Sequence, residues 1–189
     1  MVKVENINNL YVSKEYLLAS LHKINFEIIQ LKEQFWSDNQ QEIYALLDII
    51  FNNNPFYKAI TYKVFKANYN KDFVEKLCPY TSVVFKCLKT NKLAAISLCF
   101  PQQKIKNLNG NNTTILNQKV LLAKTVGVHP NFRANGLMNY MGVHGMLYFK
   151  KYYDAVIFCT MRADNFSLHF TDGIPHEKNY YAMYTKLLF

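Results

Sequence analysis

Apolar positions recur at helical spacing in two long windows of the chain and fall in short, dense runs elsewhere. The segment SDNQQEIYALLDIIFNN puts Ile43, Leu46, Leu47, Ile50 and Phe51 on one face, which predicts an amphipathic helix. Ser37 and Asp38 precede its first apolar position as cap candidates. The triple Asn before Pro55 ends it. Upstream, INFEIIQL alternates as a first strand, and SKEYLLASLHK reads as a short helix capped by Ser13. YKAITYKVFKANYNKDFVEKL is a second helical region closed by Pro79.

TSVVFKCL and KLAAISLCF are short runs of β-branched and apolar residues joined by KTN, a hairpin pattern. QQKIKNLNGNNTTILNQ is polar, carries an Asn-Gly turn at 109 and 110, and reads as an exposed loop. KVLLAKTVGVHP follows as a long strand, GLMNYMGVHGMLYFKKYY as a helix, DAVIFCTM as a strand and NYYAMYTKLLF as a terminal strand. A hairpin feeding a strand-helix-strand unit predicts a mixed sheet with helices on its faces. At 189 residues the chain is read as a single domain, 1–189, with 1–24 as an N-terminal extension of open role.

Composition narrows the function classes. No apolar run is long enough to span a bilayer, and MVKVENINNL lacks a secretory apolar core, so a soluble cytoplasmic protein without membrane partners is expected. Cys78, Cys87, Cys99 and Cys159 are too scattered for a metal or redox motif, so buried free thiols and no metal are expected. Of the 22 basic residues only Arg133 and Arg162 are arginine. Residues 77–153 hold nine lysines and Arg133 but no Asp or Glu, so this segment carries +10 and the rest of the chain −1, which puts the whole net charge of +9 here. It would attract a polyphosphate. Without aromatic-basic alternation or a known module, nucleic acid is not the expected partner.

The stretch VGVHPNFRANGLMNYM carries four features of a pyrophosphate site. Gly127 interrupts a strand, where a bulge or a close approach is expected. Pro130 ends ladder pairing through its nitrogen. The chain then turns into a helix whose first amides and dipole suit an anion. Arg133 adds a planar cationic fork. Within the helix, Gly142 and Gly145 suggest close packing of helix on sheet, with Leu137, Met138, Met141, Met146 and Phe149 supplying core bulk.

LLAKTVGVHPNFRANGLMNYM resembles the acyl-CoA-binding core of the GNAT superfamily of N-acyltransferases, whose signature runs V-x-V-x-P-x-x-R and then [QR]-x-x-G-x-[GA]. NNNPFYKAITYKVFKANY is similar to the N-terminal half of a poorly characterised bacterial subset of that superfamily, and the resemblance spans roughly residues 25 to 189. It implies a mostly antiparallel central sheet with a splayed strand pair and helices on both faces. It places the acyl-CoA-binding core at 121–141: Val126, Gly127 and Val128 on the strand, and Arg133, Ala134, Asn135, Gly136, Leu137 and Met138 on the pyrophosphate loop. Met138 departs from the signature, which has Gly or Ala there. RADNFSLHF resembles the family's later Asn-containing turn, with Asn165 facing the cofactor arm. By the same analogy Val126 and Val128 pair with the pantetheine arm, and an amide near Gly127 stabilises the oxyanion of the thioester.

The resemblance implies direct transfer of an acetyl group, or a related acyl group, from acetyl-CoA to a small-molecule or peptide amine, by a monomer or homodimer. Chemistry beyond the donor site is sparse. The family's usual base, a Glu on the central strands, has no counterpart, and Lys124 and Thr125 stand in its region. The customary Tyr acid is replaced by His169 and Phe170. His129, His169 and Tyr181 are the catalytic candidates, with Tyr140 and Tyr180 as further phenols and Asp164 as a turn residue. A non-catalytic CoA-binding or protein-interaction module is the alternative.

Overall fold

The computed structural model describes residues 2–3, 18, 20–54, 57–102, 105–107, 114–116, 119–159, 172 and 175–178. Eight strands and four helices are defined there: β1 Val2–Lys3, β2 Phe26–Gln30, α1 Glu33–Phe51, α2 Tyr62–Asn68, α3 Lys71–Glu75, β3 Val83–Cys87, β4 Leu93–Gln102, β5 Ile105–Asn107, β6 Thr114–Leu116, β7 Val120–Val128, α4 Leu137–Tyr152 and β8 Ala155–Phe158. Two 3₁₀ turns, Leu21–Ile24 and Pro130–Phe132, precede β2 and α4. The central sheet has the order β1-β8-β7-β4-β3-β2. Every neighbouring pair in it is antiparallel except β7 with β8.

The sheet is covered on both faces. On one, Trp36, Ile43, Leu46 and Leu47 of α1 pack with Val84, Ile96 and Leu98, as the apolar spacing of α1 requires. Ile43 is fully buried, so its truncation to Ala would cost about 2–5 kcal/mol. On the other face, Leu137, Tyr140 and Met141 of α4 meet Val83, Phe85, Ala95 and Val128, and Met146 and Phe149 meet Leu121, Ala123 and Val156. The mixed sheet with helices on both faces agrees with the sequence-based expectation.

Four expectations need correction. Helix α1 begins at Glu33, before Ser37 and Asp38, with Lys32 at the cap and no side-chain cap bond. Asp38 instead receives Gln34 Nε2 on both oxygens, at 2.9 and 3.0 Å. The second helical region is two short helices. The Tyr69 carbonyl between them accepts from Trp36 Nε1 and Gln40 Nε2, both at 2.8 Å, and Asn70 caps the second by accepting from the Phe73 amide at 3.3 Å. The polar segment after β4 is not simply a loop, since β5 and β6 pair as an antiparallel ribbon. Gly145 does not make room for the sheet: a Cβ there would meet Phe149 of the same helix at 3.0 Å.

The N-terminal extension contributes β1, which pairs with the outer edge of β8, Val2 opposite Val156. The helix expected around Ser13 and the terminal strand NYYAMYTKLLF lie outside the described residues. All four cysteines are free; Cys78, Cys87 and Cys99 are buried and Cys159 is half-buried. Burial and nearby Ser97 and Thr81 act in opposite directions on the Cys99 thiol, and burial wins, pushing it up to about 11. It is a packing residue rather than a nucleophile.

Candidate functional site

Strand β7 carries one extra residue against β4. Leu98 lies opposite Thr125, but Cys99 lies opposite Ala123, so Lys124 is a bulge. Bulges bend and twist the strand that carries them. On the other edge of β7, parallel pairing with β8 runs from Val120 opposite Ala155 to Ala123 opposite Phe158. Its last described bond is from the Cys159 amide to the Ala123 carbonyl, at 3.1 Å. Beyond the bulge, β7 continues paired only to β4 among the described residues.

Hydrogen-bond alternation then decides which main-chain groups face the opening. The His129 amide donates to the Ala94 carbonyl at 2.8 Å, and Val128 lies opposite Ala95 and Gly127 opposite Ile96. In an antiparallel ladder such pairs alternate. Gly127 therefore shares its N–H and C=O with β4, while those of Val126 and Val128 point to the opposite edge of β7, past its last described pairing with β8. The amide of Gly127 itself is used in the ladder, and the neighbouring amides of Val126 and Val128 are the ones presented. The bulge expected at Gly127 lies at Lys124. The close approach expected at Gly127 is real, but it is made by α1, since a Cβ at Gly127 would lie 2.5 Å from Ile50 Cγ2.

After β7 the chain turns sharply. His129 caps the 3₁₀ turn by accepting the Asn131 amide on Nδ1 at 3.1 Å, and its ring lies edge-on to Phe132 at 5.6 Å. Burial first, and then Lys92 and Arg133, hold its pKa below the usual histidine value. With Nδ1 accepting and the ring neutral, Nε2 carries the proton. Its Nδ1 is thus occupied as the cap of the turn.

Arg133 is exposed and extended, at φ −62° and ψ 159°. Ala134 and Gly136 both take left-handed conformations, at φ 68° and 71°. A non-glycine residue there is uncommon and costs about 1–2 kcal/mol. Asn135 braces the loop by donating Nδ2 to the Phe132 carbonyl at 3.1 Å. Gly136 is the N-cap of α4 and supplies no side chain to it. Its carbonyl takes the amides of Asn139 and Tyr140, at 2.9 and 3.3 Å. The amides of Leu137 and Met138, in the first turn, have no partner among the described residues.

The first turn of α4 thus opens to solvent beside a guanidinium, an arrangement suited to a phosphate. Met138 does not close it: its partly buried side chain packs with the cluster of Leu137, Val128 and Phe132. Leu137 is buried beneath the loop at 2% exposure, so the apolar side of the turn anchors it while its amides stay outside. No acidic side chain pairs with Arg133 among the described residues.

The structure brings Val126, Gly127, Val128, Arg133, Ala134, Asn135, Gly136, Leu137 and Met138 together. Asn165, His169, Tyr181, Tyr180, Asp164 and Phe170 lie outside the described residues. Tyr140 is buried with its hydroxyl 3.2 Å from Ser20 Oγ, a packing role beneath the helix. Lys124 is exposed, with Nζ 5.7 Å from the Phe100 ring centre. No group of metal-ligating side chains occurs among the described residues. No described helix is long and apolar enough to cross a membrane.

No family model matches the chain, and no curated protein matches it significantly. Solved structures do. An aminoglycoside acetyltransferase from an uncultured soil metagenomic sample, in complex with sisomicin, aligns with a TM-score of 0.54 at 15% identity, over 88% of this chain and 99% of that one. Glucosamine-6-phosphate N-acetyltransferase from Arabidopsis thaliana aligns at 0.56 and 17% identity, over 85% and 99%. An aminoglycoside N-acetyltransferase in complex with CoA aligns at 0.53 and 15%, over 85% and 94%. The chain therefore has the fold of the GNAT acetyltransferases. At these identities the likeness reaches the fold, and the neighbours' own names divide between different acceptors.

Proposed function

We propose that the protein is an acyl-CoA-dependent N-acyltransferase that moves an acetyl group from acetyl-CoA directly to an amine. One observation carries the reading: an uncapped helix start beside Arg133 lies at the end of the strand whose Val126 and Val128 peptide groups face away from β4, past the last described pairing with β8. The pyrophosphate of CoA would take the Leu137 and Met138 amides and the Arg133 guanidinium. Its amide-bearing arm would pair along Val126 and Val128 as an added strand, with its thioester toward the bulge. Neighbours of this fold in complex with CoA and with sisomicin support the choice of donor and of an amine acceptor.

In the reaction, a neutral amine nitrogen attacks the thioester carbonyl, the carbonyl oxygen gains charge near the free amide of Val126 or Val128, and the C–S bond then breaks. The nitrogen loses a proton and the departing sulfur gains one. Placement and an oxyanion donor supply catalysis without a dedicated base, which suits a site where His129 is engaged as a cap. Asn165 on the cofactor arm, and His169 or Tyr181 as proton carriers, complete the proposal, together with a cytoplasmic single-domain chain acting as a monomer or homodimer.

The test is thermal stabilisation by acetyl-CoA, longer acyl-CoAs and ATP, in the wild type and in Arg133→Ala. Selective stabilisation by CoA species, weakened in the variant, is expected; equal stabilisation by ATP, or none by CoA, would refute the donor site. A second reading, a CoA-binding module without catalysis, is favoured by the absence of Asp and Glu from residues 77–153. Thiol release with an amine panel separates the two.

A further inference from the structure

At the sheet edge opposite β1, strand β2 has β3 on one side and no strand on the other among the described residues. Its hydrogen-bond phase is fixed at both ends. The Leu88 amide donates to the Asn25 carbonyl at 2.8 Å, and the Leu31 amide to the Ser82 carbonyl at 3.0 Å. Antiparallel pairs alternate, so Asn25, Glu27, Ile29 and Leu31 turn their main-chain groups toward β3. Those of Phe26, Ile28 and Gln30 therefore point outward. Among the described residues they take one bond, from the Lys32 amide to the Gln30 carbonyl at 2.9 Å. An unused ladder of this kind is a template for a further strand.

The same edge lines a cleft of about 730 Å³, through Ile28, Ile29 and Gln30. Because α1 and α4 cover opposite faces of the sheet, the cleft has two walls: Lys32 and Phe35 at the start of α1, and His144 and Tyr148 on α4. Ile29 packs toward the α1 side and Ile28 toward the α4 side. On the α4 wall, His144 is only 8% exposed. Its Nε2 lies 3.1 Å from the Tyr80 carbonyl and donates to it, and burial holds its pKa below the usual histidine value. The neutral ring leaves Nδ1 as an acceptor with no partner among the described residues. Beyond the end of β2, Lys32 is exposed and has no acidic partner among the described residues. It is also the N-cap of α1, where the helix dipole adds to its charge. The nearby acids are engaged: Glu33 pairs with Lys71, and both oxygens of Asp38 receive Gln34 Nε2.

Independently of the acyl-donor reading, we propose that this cleft binds the free carboxyl end of an extended polypeptide as a strand added to β2. Main-chain bonds to the edge supply affinity, and the two walls select side chains. The unpaired cation lies past the end of β2, so a carboxylate held there makes the added strand parallel to β2. In parallel pairing one residue bridges two on its neighbour. The amide of the last residue then donates to the Ile28 carbonyl, and its carboxylate accepts from the Gln30 amide and the Lys32 ammonium. The Ile28 amide donates to the carbonyl two residues earlier. The last side chain stands opposite Ile29, on the side of Phe35, and is apolar. The one before it stands opposite Ile28, on the side of His144 Nδ1, and carries a hydroxyl donor such as that of threonine.

The test is calorimetric titration of the full chain with acetyl-Ala-Ala-Thr-Val as the free acid, as its carboxyl-terminal amide, with valine in place of threonine, and with the last peptide nitrogen methylated. The free acid is expected to bind about tenfold more tightly than the amide, in keeping with hydrogen bonds to a charged group. Methylation removes the donor to Ile28 and should abolish binding, and the valine peptide should bind several-fold more weakly. Lys32→Ala should erase the preference for acid over amide, and His144→Phe the preference for threonine over valine, each leaving the other preference in place. Equal binding of acid and amide, undiminished binding of the methylated peptide, no binding, or a dimer of the chain in sedimentation that the peptide does not disturb overturns the proposal. The methylated peptide keeps the test decisive if His144→Phe does not fold. No part of the cleft uses CoA, so failure of the wild type to bind CoA overturns the donor reading and leaves this one standing.

Discussion

Ile50 occupies the space that a side chain at position 127 would need, its Cγ2 only 2.5 Å from where a Cβ on Gly127 would sit. Helix α1 thereby reaches the β7 backbone three residues beyond the bulge at Lys124. Gly127→Ala forces helix and strand apart, an overpacking cost of about 1–3 kcal/mol. Thermal unfolding should register it as a loss of about 2–4 °C per kcal/mol for a chain of this size. In the Gly127→Ala/Ile50→Ala double variant the two effects should be less than additive, because the second change removes the atoms the first one meets.

Arg133→Ala is expected to leave unfolding unchanged within about 0.5 kcal/mol, since the side chain is exposed and has no acidic partner among the described residues. CoA affinity should fall about tenfold or more, in keeping with about 1.5–3 kcal/mol for a hydrogen bond to a charged group. Titration of CoA against desphospho-pantetheine checks the assignment: the shorter thiol should bind both forms alike.

Because Nδ1 of His129 accepts the Asn131 amide, His129→Asn should preserve the turn, whereas His129→Ala should cost about 1 kcal/mol as a lost cap. If the ring is only a cap, the Asn variant keeps the acyl-transfer pH profile of the wild type. Loss of an alkaline-rising limb in that variant would make His129 a base after all.

His144 gives a pH dependence of stability. It is buried on α4, with Nε2 3.1 Å from the Tyr80 carbonyl and its ring 5.0 Å from that of Tyr148. Burial depresses its pKa, and the bond to Tyr80 only partly opposes this. The unfolded chain takes up a proton near pH 6.5, where the folded one resists it, so stability is full above that pH and declines as the pH falls through it. His144→Gln should flatten the fall in Tm between about pH 7.5 and 5.5; the depressed His129 leaves a residual slope of the same sign.

The legibility of these features in the sequence follows their physical range. The apolar face of α1, the hairpin β3–β4 and the β7-turn-α4 unit are periodic or punctuated locally, so spacing and Pro or Gly placement reveal them. The two-residue β1 carries no period, and its place depends on the distant edge of β8. The division of the second helix rests on Trp36 and Gln40 taking the Tyr69 carbonyl from 33 and 29 residues away, a relation no local window contains. At the site, the residues of the loop are readable as a group, and the resemblance already points to Val126 and Val128 as the residues with free main-chain groups. Their direction itself depends on register with β4, which no local window of the sequence contains.

Lys124 has a consequence for how architecture and cleft are connected. Since it is the supernumerary residue, deleting it would leave Ala123, Thr125, Val126 and Gly127 each on its present face in an uninterrupted ladder. The core would keep its pattern, but the strand would lose the local bend and extra twist that the bulge gives it. A single codon thus separates a bulged, twisted strand from a regular one over the same core.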